Sequence, residues 1–300
     1  MNVLQTTNLS KNYGKLKAVN NLSLTIEEGK VFGILGPNGS GKTTTLGMVL
    51  GVTTASSGSY SWFGQGNDHN VRKQIGAILE RPTFYPYMNA QQNLELNAAI
   101  RNIGTESIDK VLDMVGLLHR KNDPFKGYSL GMKQRLAIGA AMMCDPKVLV
   151  LDEPTNGLDP EGIADVRQII YDIAAMGKSI VIASHLLYEV QKVCDEFCVL
   201  RLGNLIHQGP VDGLSEHSKV ELASPDMSKL REALASVMGI SQVMEKGKHL
   251  EITGSTGFNA AEMNATLFKH GVTLSHLQVL EQSLEDQFLK ILRENDDPTV

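Results

Sequence analysis

The stretch Gly36-Pro37-Asn38-Gly39-Ser40-Gly41-Lys42-Thr43-Thr44 constrains this chain more than any other. An apolar run, Val31 to Leu35, precedes it, and a helix-like stretch, Thr44 to Leu50, follows. Strand, glycine-rich loop, helix is the setting in which this pattern grips phosphate. The glycines let successive backbone N–H groups turn toward one anion, and the helix adds the positive end of its dipole. Lys42 then reaches the β- and γ-phosphates, and the Thr43 hydroxyl can ligate Mg²⁺. The expected ligand is a nucleoside triphosphate.

The 300 residues suffice for one large core or two domains. Hydrophobic residues at 42% and charged residues at 20% are ordinary for a folded soluble chain. A formal net charge of −5 and the absence of a long Lys/Arg run argue against a nucleic-acid partner. No apolar run reaches the ~18 residues that a spanning helix requires. Met1 to Gln5 has neither a basic nor an apolar leader pattern, so no signal peptide is expected. Cys144, Cys194 and Cys198 form no CxxC pair and read as reduced thiols, which suits a cytoplasmic protein.

Val148 to Asp152 and Ser179 to Ala183 are apolar runs separated by a helical stretch, Gly162 to Met176, and Phe197 to Leu200 is a further run. Strands apolar on both faces, alternating with helices, predict a parallel sheet covered by helices. Shorter β-like runs, Val3–Asn8, Val19–Ile26 and Gly58–Gly64, flank the phosphate loop, and helical patterning dominates from about 89 to 144. The texture changes near Gly213. Residues 214–300 read as a small α+β appendage: strand, helix (Met227–Val237), strand pair about Gly247, helix (Ala260–His270), strand (Val272–Leu280), helix. Ser283 to Asp286 resembles a capping box for that last helix, ahead of Phe288 and Leu289.

Asp152-Glu153-Pro154 ends the first of those apolar runs, about one hundred residues past the phosphate loop. In an open parallel sheet an acid at a strand's carboxyl end sits beside the ligand. Asp152 is placed to bind Mg²⁺, and Glu153 to polarise an attacking water. Tyr128-Ser129-Leu130-Gly131-Met132 opens a helix-like stretch, where Ser129 and the Gly131 backbone make either an ordinary N-cap or a second anion site. Two phosphate grips in one chain make sense if the second serves a nucleotide held by another copy. His185 follows the run 179–183 on the same sheet edge, where it suits a γ-phosphate sensor.

The order of phosphate loop, Ser-x-Gly helix start, Asp-Glu-Pro, Asn156-Gly157-Leu158-Asp159 and His185 resembles the ATP-binding subunit of ABC transporters, over residues 1 to about 213. The resemblance implies a P-loop NTPase of ABC type: a mixed core sheet with flanking helices, an antiparallel β subdomain and a helical subdomain. It implies ATP and Mg²⁺ as cofactors. Tyr13 would stack on adenine, with Val19 grouped among the cofactor-binding residues. Asp159 would belong to the loop that couples two subunits. Two such subunits would sandwich ATP head to tail, so that Ser129 and Gly131 serve the partner's nucleotide.

Two departures stand out. The family's Leu-Ser-Gly-Gly-Gln is here Tyr128 to Met132, and its metal-contacting glutamine corresponds to Glu80. Both variants, and the ending Ser283 to Leu289, resemble the branch of bacitracin-resistance, lantibiotic-immunity and gliding-related exporters. The implied partners are an integral membrane permease and a second copy or related ATP-binding subunit. The implied location is cytoplasmic, peripheral on the inner face of the cell membrane. The aromatic run Phe84-Tyr85-Pro86-Tyr87 is expected to place Phe84 and Tyr85 in the permease-docking surface. The competing function is a soluble ATP-driven clamp. Against it stand the short interval between phosphate loop and Ser129, the single cassette and the charge balance.

Overall fold

The structure, a computed structural model, describes residues 1–66, 68–79, 83–211, 219–255 and 258–280. The chain divides into two compact units, Met1–Val211 and Asp212–Val300.

The first unit is built on a six-stranded sheet of β3 (Val31–Leu35), β5 (Ile75–Ile78), β6 (Val148–Asp152), β7 (Ser179–Ser184), β8 (Glu196–Arg201) and β9 (Asn204–Pro210), in the order β5-β6-β7-β3-β8-β9. All pairs are parallel except β8 with β9. Every residue of β3, β6 and β7 is buried, which selects consecutive Val, Ile and Leu in place of alternation. Two strands of this sheet are not evident in the sequence. β5 is four residues long, too short to show a period. β9 reverses through the two-residue turn Leu202-Gly203 and is half-exposed and polar.

A second sheet is antiparallel, in the order β2-β1-β4, from β1 (Asn2–Tyr13), β2 (Leu16–Glu27) and β4 (Ser57–Trp62). β2 alternates along its second half, with Leu22, Leu24 and Ile26 inward. These side chains join Phe32, Ile34, Leu46 and Val150 in one core. Buried Trp62 donates from Nε1 to the Val49 carbonyl at 2.7 Å, tying β4 to the end of α1 (Lys42–Val49). A short helix, α2 (His69–Arg72), leads into β5.

Between Asn89 and Met143 lie α3 (Ala90–Arg101), α4 (Ile108–Met114) and α5 (Leu130–Met142), with two 3₁₀ turns at 118–120 and 125–127. α3 opens with a complete capping box, Asn89 to the Gln92 backbone and Gln92 back to Asn89. α6 (Pro160–Ala175) starts two residues before the expected Gly162, because Asp159 caps it and proline suits its first turn. α7 (Leu187–Val193) lies directly against β3: a Cβ on Gly33 would stand 2.7 Å from Val190 Cγ1 and 3.1 Å from Cys194 Sγ.

The second unit runs β10 (Lys219–Ala223), α8 (Met227–Leu234), β11 (Ile240–Lys246), β12 (His249–Gly254), α9 (Ala260–Lys269) and β13 (His276–Leu280). Its antiparallel sheet has the order β11-β12-β10-β13, the split βαβ arrangement. Val220, Leu222, Leu250 and Ile252 meet Leu230 and Leu267 in a core of its own. The last strand starts at His276 and not at Val272. Gly271, at φ +71°, ends α9 in the left-handed conformation, and the Val272 N–H is spent on the Leu267 carbonyl. The expected helix at Ser283–Leu289 and the boundary at 213/214 lie outside the described residues.

Glu251 alternates with these core residues, yet it is only 3% exposed. Its carboxylate accepts a hydrogen bond from Lys246 and another from Lys219 at 3.1 Å. The Lys246 hydrogen bond is the main cause holding its pKa below the usual carboxylate value, against the opposing effect of burial. The ionised form is therefore favoured by folding. The contribution is full above about pH 4.3 and is lost as pH falls through the lowered value. Glu251→Gln is expected to speed amide hydrogen exchange in β10 and β12 at pH 7. The difference from the parent chain should shrink toward pH 3.

Candidate active site

Strand register gathers the site. Leu35 pairs with Ser184 and Asp152 with Ala183, so β3, β6 and β7 end on one rim. The phosphate loop leaves from that rim. A Cβ on Gly36 would lie 2.3 Å from the Leu200 carbonyl oxygen and 2.5 Å from Ser40 Oγ. Gly41 has φ +105°, and a Cβ there would lie 2.5 Å from the Ala18 carbonyl oxygen. Gly41 is the N-cap of α1 and supplies no side-chain cap, and no acidic residue occupies the first turn. The first amides of α1 thus keep their capacity for an anion.

Lys42 is buried, and its Nζ donates to the carbonyls of Gly36 at 2.7 Å and Pro37 at 3.2 Å. It also stands 3.3 Å from Glu153 Oε1. The other carboxylate oxygen of Glu153, Oε2, is 2.7 Å from His185 Nδ1 and accepts the His185 backbone N–H at 3.3 Å. Glu153 therefore stands between a cation and an imidazole. Its backbone is left-handed, φ +49°, which costs a non-glycine residue about 1–2 kcal/mol. It is held there by its N–H on the Ala183 carbonyl at 2.9 Å and by the Asn156 N–H on its own carbonyl at 3.1 Å. A carboxylate so fixed can accept a proton from water.

A cavity of about 360 Å³ opens above the loop, lined by Asn38 through Thr44, Glu153, Tyr13, Leu16, Lys17, Ala18 and Leu202. A glycine-lined cradle with an amide-bearing helix start, beside a buried lysine, fits a polyphosphate. Thr43 and the buried Asp152 carboxylate offer oxygen donors, the type Mg²⁺ takes. Among the described residues no group of three or more His, Cys, Asp or Glu forms a metal-holding cluster. Mg²⁺ normally keeps water and phosphate oxygens in its shell and needs no such cage. Glu80 lies outside the described residues.

The remaining sequence-derived residues lie elsewhere. Val19 is fully buried, its Cγ2 3.3 Å from where a Gly41 Cβ would be, so it underpins the loop and does not line the cavity. Ser129 is exposed and caps α5 through Oγ, accepting the Met132 N–H at 3.2 Å. Asp159 caps α6, accepting the Gly162 N–H at 2.9 Å. The two helix starts abut, since a Cβ on Gly131 would stand 3.6 Å from Gly162 Cα. Ser129, Gly131 and Asp159 thus form a second cluster, and none of them lines the cavity beside Lys42. Leu16, Lys17, Ala18 and Leu202 were not singled out in the sequence. Only the Leu202-Gly203 turn dipeptide could have signalled one of them.

Support for His185 comes from behind. Ser184 Oγ accepts the Leu186 N–H at 3.0 Å, and Arg167 of α6 pairs with Glu189 of α7 at 2.8 Å. Cys194 and Cys198 are buried, and burial pushes both thiols far above the ordinary range, which makes them inert. Phe84 is half-buried, packing edge-on against Phe125 at 5.2 Å. The exposed aromatics of that run are Tyr85 and Tyr87, with centroids 5.8 Å apart.

Residues 19–156 match the family model described as ABC transporter. The bacitracin transport ATP-binding protein BcrA of Bacillus licheniformis is 35% identical, with 97% of each chain covered. The lantibiotic transport ATP-binding protein SrtF of Streptococcus pyogenes is 38% identical over 70% of this chain and 92% of its own. Among solved structures, the ADP conformation of MJ1267, an ATP-binding cassette of an ABC transporter, superposes with a TM-score of 0.65 at 26% identity. It covers 71% of this chain and 94% of its own. CbiO1 from Clostridium perfringens, part of the cbiONQ transporter complex, gives 0.65 at 29% identity over 71% and 90%.

Gly41→Ala forces a methyl group against the Ala18 carbonyl at positive φ. The variant is expected to lose roughly 1–3 kcal/mol of stability, and MgATP should no longer raise its unfolding temperature. Thermal-shift measurements with and without MgATP check both outcomes.

Proposed function

The chain belongs to the ABC transporter family as an ATP-binding, ATP-hydrolysing subunit, and from that premise we propose that it drives a separate membrane permease that exports its cargo. The observation that carries the catalytic part is Glu153, bracketed by His185 Nδ1 at 2.7 Å and Lys42 Nζ at 3.3 Å beside the cavity. In this reading Lys42 and the amides of Gly39 to Thr44 bind the β- and γ-phosphates. Gly36, Pro37 and Asn38 shape the loop, and Tyr13 lies against the base. Thr43 and Asp152 hold Mg²⁺, with Glu80 assigned as a third oxygen donor from its place in the sequence. The metal, when bound, supplies charge neutralisation between the phosphates.

Glu153 accepts a proton from the water that attacks the γ-phosphorus. ADP leaves as the bond to its β-phosphate oxygen breaks. His185 orients the Glu153 carboxylate and senses the γ-phosphate. Most of the rate enhancement then comes from positioning and charge stabilisation. Ser129, Gly131 and Asp159 lie apart from this cavity. That separation supports a head-to-tail pair, in which Ser129 and Gly131 grip the partner's nucleotide and Asp159 sits at the junction. The pair is two copies of this chain or this chain with a related subunit.

Membrane contact is assigned to the permease alone, which puts the protein at the inner face of the cell membrane. Among the described residues no helix is long and apolar enough to cross a bilayer. The names of the relatives, bacitracin transport and lantibiotic transport, and the branch features at Glu80 and Ser129 to Met132 support export. Docking is assigned to Tyr85 and Tyr87, with Phe84 as their anchor. Asn93 steadies their loop, accepting the Tyr85 N–H at 2.8 Å and donating to the Asn89 carbonyl at 2.9 Å.

Glu153→Gln is expected to bind MgATP, to form ATP-dependent dimers and to lose at least about 100-fold in turnover; gel filtration and phosphate release measure this. Normal hydrolysis would remove Glu153 from its assigned role. Captured from gently solubilised native membranes, Glu153→Gln should bring with it a protein of several spanning helices. Adding Tyr85→Ala should weaken that recovery without changing ATP binding.

A further inference from the structure

Leu202 breaks two rules at once. It occupies the first position of the two-residue turn joining β8 to β9, with φ +45°, and Gly203 follows at φ +81°. Positive φ at both positions is the requirement of a type I′ turn, which Asn-Gly or Asp-Gly meets without strain. Leucine there carries the left-handed penalty of a bulky side chain. It is also 76% exposed, so hydrophobic burial within the chain does not compensate. An outlier that neither local conformation nor packing favours points to function.

The turn is fastened to the nucleotide cavity. The Gly203 N–H donates to the Ser40 carbonyl of the phosphate loop at 3.0 Å, and the Asn20 N–H donates to the Gly203 carbonyl at 2.8 Å. Glycine is needed at 203 because a Cβ would lie 2.9 Å from the carbonyl oxygens of both Lys17 and Ala18. Asn204 Nδ2 donates to the Leu202 carbonyl at 3.2 Å, fixing the turn from its other side. Leu202 is thereby held at the cavity mouth, which it lines together with Tyr13 and Leu16. These two are also largely exposed, at 50% and 66%.

Three large side chains with apolar bodies, left in water at the lining of one polar cradle, offer apolar surface to a flat ring. We infer that Leu202, with Leu16, forms the second wall of the nucleobase slot opposite Tyr13, so that turn strain is retained in exchange for base affinity. The inference rests on the ATP-binding reading above and adds a residue that determines affinity for the base.

Leu202→Asn separates turn strain from ligand contact, because asparagine suits the turn and lacks the apolar wall. The nucleotide-free variant should unfold about 2 °C higher than the parent. Its Kd for MgATP should rise about fivefold, the effect of losing part of one buried leucine contact. Binding of Mg-tripolyphosphate, which has no base, should change less than about twofold on the same scale. Leu202→Met keeps an apolar side chain and should bind MgATP within about twofold of the parent.

An unchanged MgATP Kd in Leu202→Asn would overturn the inference, as would equal weakening toward tripolyphosphate. An unfolding temperature that fails to rise would overturn the strain part. Failure of the folded parent chain to bind MgATP would instead overturn the ATP-binding reading itself. Calorimetric titration and thermal unfolding together read every one of these outcomes.

Discussion

Leu35 stands opposite Ser184, and Asp152 opposite Ala183. Everything reactive in the first unit follows from that alignment of three buried parallel strands. Because β3, β7 and β6 end level, the phosphate loop, the Asp152-Glu153 pair and His185 emerge on one edge, with Glu153 within reach of both Lys42 and His185. A slip of one residue in β6 would exchange its two faces and carry Glu153 away from both Lys42 and His185. The strands' apolar sequences thus fix the geometry of the rim as well as core packing. Since all three are buried on both faces, a slipped register would bury polar groups without partners.

Long-range order was the legible part of the sequence. Val148–Asp152 and Ser179–Ala183 are read directly because a strand covered on both faces needs uninterrupted apolar residues. The phosphate loop is read because its glycines are required by backbone contacts that few sequences satisfy by chance. What was not legible depends on neighbours. β5 is four residues of edge strand that depend on β6, and β9 is polar because one side of it meets solvent. Glutamate does not choose the left-handed backbone of Glu153; the Ala183 carbonyl and the Asn156 N–H hold it there. Phe84 and Tyr85 look alike in sequence, yet Phe125 claims one and leaves the other exposed. Val19 is buried beneath the loop, a place that its position in the sequence does not reveal.

The two units solve the burial problem differently. In the first, two sheets share one core, so the antiparallel β2-β1-β4 layer and the phosphate-loop helix are stabilised by the same side chains. In the second, a single sheet meets two helices on one face. Glu251, on the other parity of β12, is buried and bound to two lysines. Separate cores allow the units to unfold with separate responses to acid, the second through Glu251 in particular.

Gly33 sits in mid-strand, remote from the cavity, and is the only residue type that lets α7 rest on β3 at this height. The same helix is fastened to α6 through Glu189 and Arg167. The helix is therefore clamped between an ion pair and an absent side chain, with His185 just ahead of its first turn. A single methyl group in the middle of β3 would act as a wedge between the strand and the helix, at Val190 and Cys194. Position 33 is thus one where the smallest possible addition in the core would be felt along the helix that follows His185.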